Sequence, residues 1–202
     1  MKTKILPING NSIKETVNVL KNGGICIYPT ETCYGLGCDA TNEKAIKKLR
    51  KIKKMNDEKK ISIIVSSLEM IKKYGRVTKR VEKIVNLFMP APLTLVIRKK
   101  KSIPDILNKD EIAFRIPNNL VALRLVKEFE KPITATSANI TTKPSIYTFD
   151  KIRKVFEGKV DIILDGGDLP LEPPSTIVDM TKRKAEIIRE GSMKATLILK
   201  IK

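Results

Sequence analysis

Arg115 is a guanidinium set inside an apolar run, "IAFRI", and Arg189 stands near the end of another, "AEIIRE". Arginine in such places suits planar anions, because its fork can grip a carboxylate or phosphate through two parallel hydrogen bonds. Short hydroxyl and amide side chains gather in three further clusters: Thr30 and Thr32 in "YPTETCYGLG", Ser137 and Asn139 in "TSAN", and Ser175 in "PPST". Together they are donors for an anionic ligand. A helix beginning near Asn42 would add backbone N–H groups and the positive end of its dipole. Taken singly, each cluster also has a purely structural use. Arg115 could neutralise a buried acid, "TSAN" could be a turn with Asn139 left-handed, "PPST" could stiffen the start of a strand, and Arg189 could lie on the surface.

The chain contains no histidine. Without the commonest general base, any reaction here must lean on positioning and on electrostatic stabilisation of anions. Cys26, Cys33 and Cys38 lack zinc-ligand spacing, and no histidine is present to complete a mixed site. They read as packed thiols. Cys33 as a nucleophile would need a basic neighbour to lower its pKa. Neither a Walker loop nor a GxGxxG fingerprint occurs.

The elements that must position these groups alternate. Helical spacing of Ile13, Thr16, Val17 and Leu20 predicts a helix over 12–21 with Ser12 as its cap, followed by a strand at 24–28. "TNEKAIKKLRKIKKM" predicts an amphipathic helix whose lysines form one face. A strand at 61–67, helices at 68–75 and 77–88, strands at 93–98 and 112–116, and a helix at 119–129 follow. A strand at 132–136, a helix at 149–158 and strands within 160–164, 175–180 and 185–190 complete the pattern, with "DGGDLPLEPP" as a loop. The expected fold is α/β: one domain over residues 1–202, a twisted mixed sheet with flanking helices. All the polar clusters then fall at strand ends, where ligands of such sheets bind.

Composition narrows the partners. Forty Lys and Arg against 22 Asp and Glu give a net charge of +18, which suits a polyanion such as RNA or a nucleotide and suits equally a lysine-rich, heat-adapted composition. No apolar run reaches membrane-spanning length and the N-terminus has no signal-peptide pattern, so a cytoplasmic chain without a membrane partner is expected.

The segments "GGICIYPTETCYGLGCDA", "APLTLVIR", "IAFRIPNN", "KPITATSANI" and "PPSTIVDMT" with "IIREG" stand in an order and spacing that resemble the YrdC-like family of threonylcarbamoyl-AMP synthases, in its short form. The resemblance runs from about Ile13 to Gly191. It implies an enzyme, a nucleotidyltransferase, that combines L-threonine, bicarbonate and ATP into threonylcarbamoyl-AMP and diphosphate for threonylcarbamoyladenosine in tRNA. A protein partner in that transfer pathway is implied as well. It implies that Thr32 and Ser175 contact threonine, with Arg115 on its carboxylate. Ser137, Asn139, Ser145 and Arg189 would hold the nucleotide, Lys53 would meet its phosphates as a catalytic cation beside Arg115, and Lys54 or Lys59 would assist. No tightly bound cofactor or protein metal site is expected; Mg2+ would come with ATP. Two positions depart from the family pattern: its Lys-x-Arg motif falls on Lys53, Lys54 and Met55, and a histidine common in the next strand aligns with Ile64. The alternative is a non-catalytic protein of the same fold, as in the YciO-like branch, binding tRNA or double-stranded RNA through its lysines.

Overall fold

Residues 2–56 and 59–201 are described by a computed structural model. The chain opens with β1 (Lys4–Pro7), α1 (Gly10–Lys21), β2 (Cys26–Pro29), β3 (Tyr34–Gly37) and α2 (Glu43–Lys53). It continues through β4 (Ile63–Ile64), α3 (Leu68–Tyr74), α4 (Lys79–Phe88), β5 (Leu93–Arg98), β6 (Glu111–Arg115) and α5 (Leu120–Phe129). It ends with β7 (Ile133–Thr134), β8 (Thr136–Ser137), α6 (Phe149–Phe156), β9 (Ile162–Asp165), β10 (Thr176–Asp179), β11 (Glu186–Arg189) and α7 (Ala195–Leu199).

The α/β class and the mixed, helix-flanked strands are as expected, and the strands sort into two sheets. One has the order β1-β9-β2-β3-β8, the other β11-β10-β5-β6-β4-β7. Parallel and antiparallel pairs occur in both. The chain crosses between sheets at Ala135, so the strand expected at 132–136 divides into β7 in one sheet and β8 in the other. Ser62 and Ala135 fix the crossing: the Ala135 N–H donates to the Ser62 carbonyl and the Ser62 hydroxyl donates to the Ala135 carbonyl, both at 2.7 Å.

Local chemistry explains the other differences. Asn9, not Ser12, caps α1; its side chain accepts from the N–H groups of Asn11 and Ser12, while the Ser12 hydroxyl accepts in return from the Asn9 N–H. The strand predicted over 61–67 shortens to β4 because Ser67 turns to cap α3. Two glycines argue against a strand at "YGLG", yet β3 forms there, since Tyr28 of β2 lies across it. A Cβ on Gly37 would come within 2.7 Å of the Tyr28 ring and 2.8 Å of Ile133. Only glycine leaves that space.

α2 shows its two faces as its spacing requires. Ala45, Ile46 and Leu49 are buried, as are Arg50 and Lys53, while Lys44, Lys47, Lys48 and Lys51 face outward. Lys54 ends the helix in the left-handed region at φ 54°. No described helix is long and apolar enough to cross a membrane.

Candidate active site

A cavity of about 370 Å3 opens between the two sheets. Its floor is one face of the six-stranded sheet, and the pleat selects alternate residues: Thr94 and Val96 of β5, Ala113 and Arg115 of β6. The register that pairs Leu95 with Phe114 sets Thr94 beside Arg115, and Ile177 is partnered by both Thr94 and Arg189. One row across the floor therefore carries Arg189, Ile177, Thr94 and Arg115. Lys60 and Ser62, ahead of β4, extend the floor on the other side of β6. The five-stranded sheet supplies the facing wall through Thr30, Thr32, Cys33 and Ser137, and Ser145, Tyr147 and Ser175 close its sides.

The turn between β2 and β3 is both a turn and part of the site. Thr30 ties it: its hydroxyl donates to the Cys33 carbonyl at 2.7 Å and accepts from the N–H groups of Thr32 and Cys33. Between the two threonines, Glu31 turns to Arg115, whose Nη1 donates to Glu31 Oε1 at 2.8 Å and to Thr32 Oγ1 at 3.5 Å. The pair is largely buried, with side-chain exposures of 9% for Arg115 and 12% for Glu31. Arg115 thus neutralises an inward acid and lines the cavity at once. Glu31 Oε2 has no hydrogen-bond partner among the described residues, so this carboxylate depends on a single guanidinium.

Arg189 is organised differently. Nε and Nη2 both donate to the Ser175 carbonyl, at 3.0 and 2.7 Å, and Nη2 reaches Ser175 Oγ at 3.2 Å. Ser175 Oγ lies 2.9 Å from Thr94 Oγ1, which links β5 to the "PPST" segment. Burial and the nearby Arg115 charge lower the Arg189 pKa. Arg115 is offset by Glu31, whereas Arg189 is held by neutral oxygens alone, so the row keeps a net positive charge that an anionic ligand would relieve.

Thr32, Arg115, Ser137, Ser145, Ser175 and Arg189, all predicted from sequence, meet on the walls of one cavity. Lys53, Asn139 and Lys59 are not among the residues lining it. The Lys53 ammonium lies behind the wall and donates to the Ser137 carbonyl, to the Asn139 carbonyl at 2.9 Å and to Asn139 Oδ1 at 2.6 Å. Its three protons are spent on the "SAN" loop. Burial, helped by the Lys59 charge, pulls its pKa down to about 8, while three oxygen acceptors favour the charged form. Asn139 Oδ1 also accepts from Ser137 Oγ at 2.6 Å, and its amide donates to the Lys143 carbonyl. Asn139 therefore shapes the loop, without a left-handed backbone. Met55 packs partly buried against the core, and Lys54 is exposed at the helix end.

The dipole expectation is corrected by this geometry. α2 meets the "SAN" loop with its C-terminal end, where the Thr141 N–H bonds the Lys53 carbonyl; the N-terminus at Asn42 is eleven residues away along the helix. Cys26 and Cys38 are buried, as packed thiols should be. Cys33 sits on the cavity wall, where burial raises its pKa despite Arg115, so it is no ready nucleophile.

Lys60, Ser62, Thr94 and Tyr147 line the cavity without having been singled out. Thr94 sits two positions before Val96 in an apolar run, and Lys60 follows Lys59 in a lysine-rich stretch. In neither place does local sequence tell the inward residue from its neighbour. Among the described residues, no group of three or more His, Cys, Asp or Glu is placed to hold a metal ion.

The sequence matches the Sua5_yciO_yrdC family model, described as telomere recombination, over residues 18–191. It is 40% identical over 193 residues to a Methanocaldococcus jannaschii protein provisionally named threonylcarbamoyl-AMP synthase, covering 93% of this chain and 91% of that one. A threonylcarbamoyl-AMP synthase of Pyrococcus abyssi is 32% identical over 192 residues, covering 94% of this chain and 56% of its own length. The fold is similar to that of P. abyssi Sua5 crystallised with L-threonine, with a TM-score of 0.90 and 30% identity, over 98% of this chain and 59% of that one.

Proposed function

We propose that this chain, which belongs to the Sua5/YciO/YrdC family, makes threonylcarbamoyl-AMP from L-threonine, bicarbonate and ATP, as a nucleotidyltransferase serving tRNA modification. The observation that carries this is the cavity between the sheets, where Arg115 and Arg189 share one row with hydroxyls around them and no carboxylate of the described residues lines the wall. Such a site suits substrates that all carry anionic groups.

The chemistry divides into two displacements. The threonine amine attacks the carbon of bicarbonate, and water leaves to give a carbamate. A carbamate oxygen then attacks the α-phosphorus, and the bond to the bridging oxygen of diphosphate breaks. Arg115 would take the threonine carboxylate, and Thr32 and Ser175 would contact the same substrate. Ser137, Ser145 and Arg189 would hold the nucleotide, with Lys53 and Asn139 fixing the loop that presents Ser137. Mg2+ would enter with ATP as part of the substrate and would supply further neutralisation of phosphate charge. The protein's share is alignment and charge neutralisation.

The test is diphosphate release with threonine, bicarbonate and MgATP, together with the mass of the product. Release that requires threonine and yields the carbamoyl adenylate is the expected result. Release indifferent to threonine would overturn the proposal. An RNA-binding role without catalysis has the net charge of +18 and the exposed lysines of α2 in its favour, but it leaves the arginine-lined cavity without a use.

A further inference from the structure

Three cations line the cavity: Arg115, Arg189 and Lys60. The two arginines are tied to protein oxygens, Arg115 to Glu31 and Thr32, Arg189 to Ser175. Lys60 is held differently. Its Nζ pairs with Glu111 Oε2 at 2.8 Å, and its side chain is 65% exposed. Glu111 is the more covered partner at 20%, but with the ammonium open to water the attraction is screened, so a more highly charged partner can draw the lysine away.

Position supplies the rest. Glu111, Ala113 and Arg115 share one face of β6, so Lys60 and Arg115 mark opposite ends of the cavity floor, about 13 Å apart for four residues of strand. The antiparallel pairing of β4 and β7 runs on to Ser62 and Ala135, where the chain crosses sheets, and Lys60 and Ser137, two residues beyond on either side, both line the cavity. Arg50 steadies the approach, its guanidinium donating to the carbonyls of Asn56 and Lys59 at 2.8 and 2.9 Å. Lys53, behind the same loop, has its three donors engaged. A polyphosphate lying against Ser137 would meet one mobile cation on the wall.

We infer that Lys60, released from Glu111, is the residue that grips the polyphosphate of the nucleotide, while Lys53 positions the Ser137 loop beneath it. The inference rests on the synthase proposal for the identity of the ligand. Glu111 acts as a holding partner: it keeps the ammonium at the mouth and competes with the phosphates for it.

Titration calorimetry with MgATP, with inorganic diphosphate and, separately, with L-threonine tests it. Lys60→Ala should weaken ATP and diphosphate by at least about tenfold, as loss of a charge-assisted contact does, and leave threonine affinity within about twofold of the native chain. Lys60→Arg should restore most of the ATP affinity, and Glu111→Gln should tighten ATP a few-fold by freeing the ammonium. Lys51→Ala, which removes the same charge from the outer face of α2, controls for net charge and should change neither. Unchanged ATP and diphosphate binding in Lys60→Ala, with the native chain binding both, overturns the role of Lys60 alone. If the native chain binds neither ATP nor diphosphate, the role of Lys60 and the synthase proposal fall together.

Discussion

Replacing Arg115 separates its two duties, because the residue both neutralises Glu31 and faces the cavity. Arg115→Gln leaves Glu31 with two unpaired oxygens in a site where only 12% of its side chain is exposed. Breaking a buried pair from one side costs about 3–5 kcal/mol. For a chain of this length, that lowers the melting temperature by roughly 6–20 °C. Loss of a charge-assisted contact to the threonine carboxylate should cost about 2–5 kcal/mol more, on the substrate side, or roughly 30- to 4,000-fold in affinity. The single variant cannot tell the two apart, since a loosened β2–β3 turn would also displace Thr32. The double variant Glu31→Gln with Arg115→Gln can. Two neutral amides restore the charge balance, so most of the lost melting temperature should return, while threonine affinity stays low. Thermal unfolding and threonine titration on the native chain, both singles and the double form the assay. Recovery of threonine affinity with stability in the double variant would refute the placing of Arg115 on the substrate.

Other outcomes follow from the same geometry. Lys53→Met leaves the carbonyls of Ser137 and Asn139 without their ammonium and should lower both stability and ATP affinity, which thermal unfolding and titration can follow together. Burial lowers the Lys53 pKa to about 8 from an ordinary 10.5, so the unfolded chain holds this proton more tightly. The native chain should therefore gain stability relative to Lys53→Met as pH rises from 8 towards 10.5, and lose that increment as pH falls through 8; denaturant titrations at several pH values would test the sign. Gly191→Ala places a Cβ 2.0 Å from the Pro174 carbonyl oxygen, which is backbone and cannot swing away. It should push the Ser175–Arg189 contact apart, and loss of substrate affinity beyond the loss of melting temperature is the expected readout. Arg189→Lys keeps the charge but cannot hold the Ser175 carbonyl through two nitrogens, so turnover should fall about tenfold with little change in unfolding.

The fold was legible where periodicity was long. The faces of α1, α2 and α4 could be read from Ile13, Ile46 and Val81 and the residues that repeat around them, because apolar side chains recur at helical spacing chiefly where one face of a helix is buried. β1 and β8 were not legible because neither buries a residue fully, unlike β2 and β9, which are no longer than β1, so no sustained apolar run marks them. The crossing at Ala135 is the clearest case. "PITAT" reads as one strand, and nothing local to it can say that Thr134 pairs with Ile63 while Thr136 pairs with Leu36. Sheet membership is a property of partners, which lie about 70 to 100 residues away.

The site shows the same division between residue type and direction. Arginines and hydroxyls at strand ends pointed to one cavity because a site for anions needs donors: Thr32, Arg115, Ser137, Ser175 and Arg189 do line it, as does Ser145, which the family resemblance alone supplied. Which cation faces the cavity was not legible, for a physical reason. Lys53, Lys59 and Lys60 are chemically the same side chain within eight positions, and their uses differ only through what packs behind them. α2 ends at Lys53 and points it into the "SAN" carbonyls, where three acceptors offset the burial of its charge. Lys60 follows Lys59, whose carbonyl accepts from Arg50, at the start of a segment whose alternate residues face the cavity, and the Glu111 carboxylate is its partner among the described residues. A buried ammonium with all its donors engaged is poorly suited to follow a substrate whose charge moves during reaction. An exposed ammonium in a weak pair can exchange partners at small cost. The proposed division of labour, a fixed cation that shapes the loop and an exposed one that meets the phosphates, rests on burial, with no difference in chemistry between the two lysines.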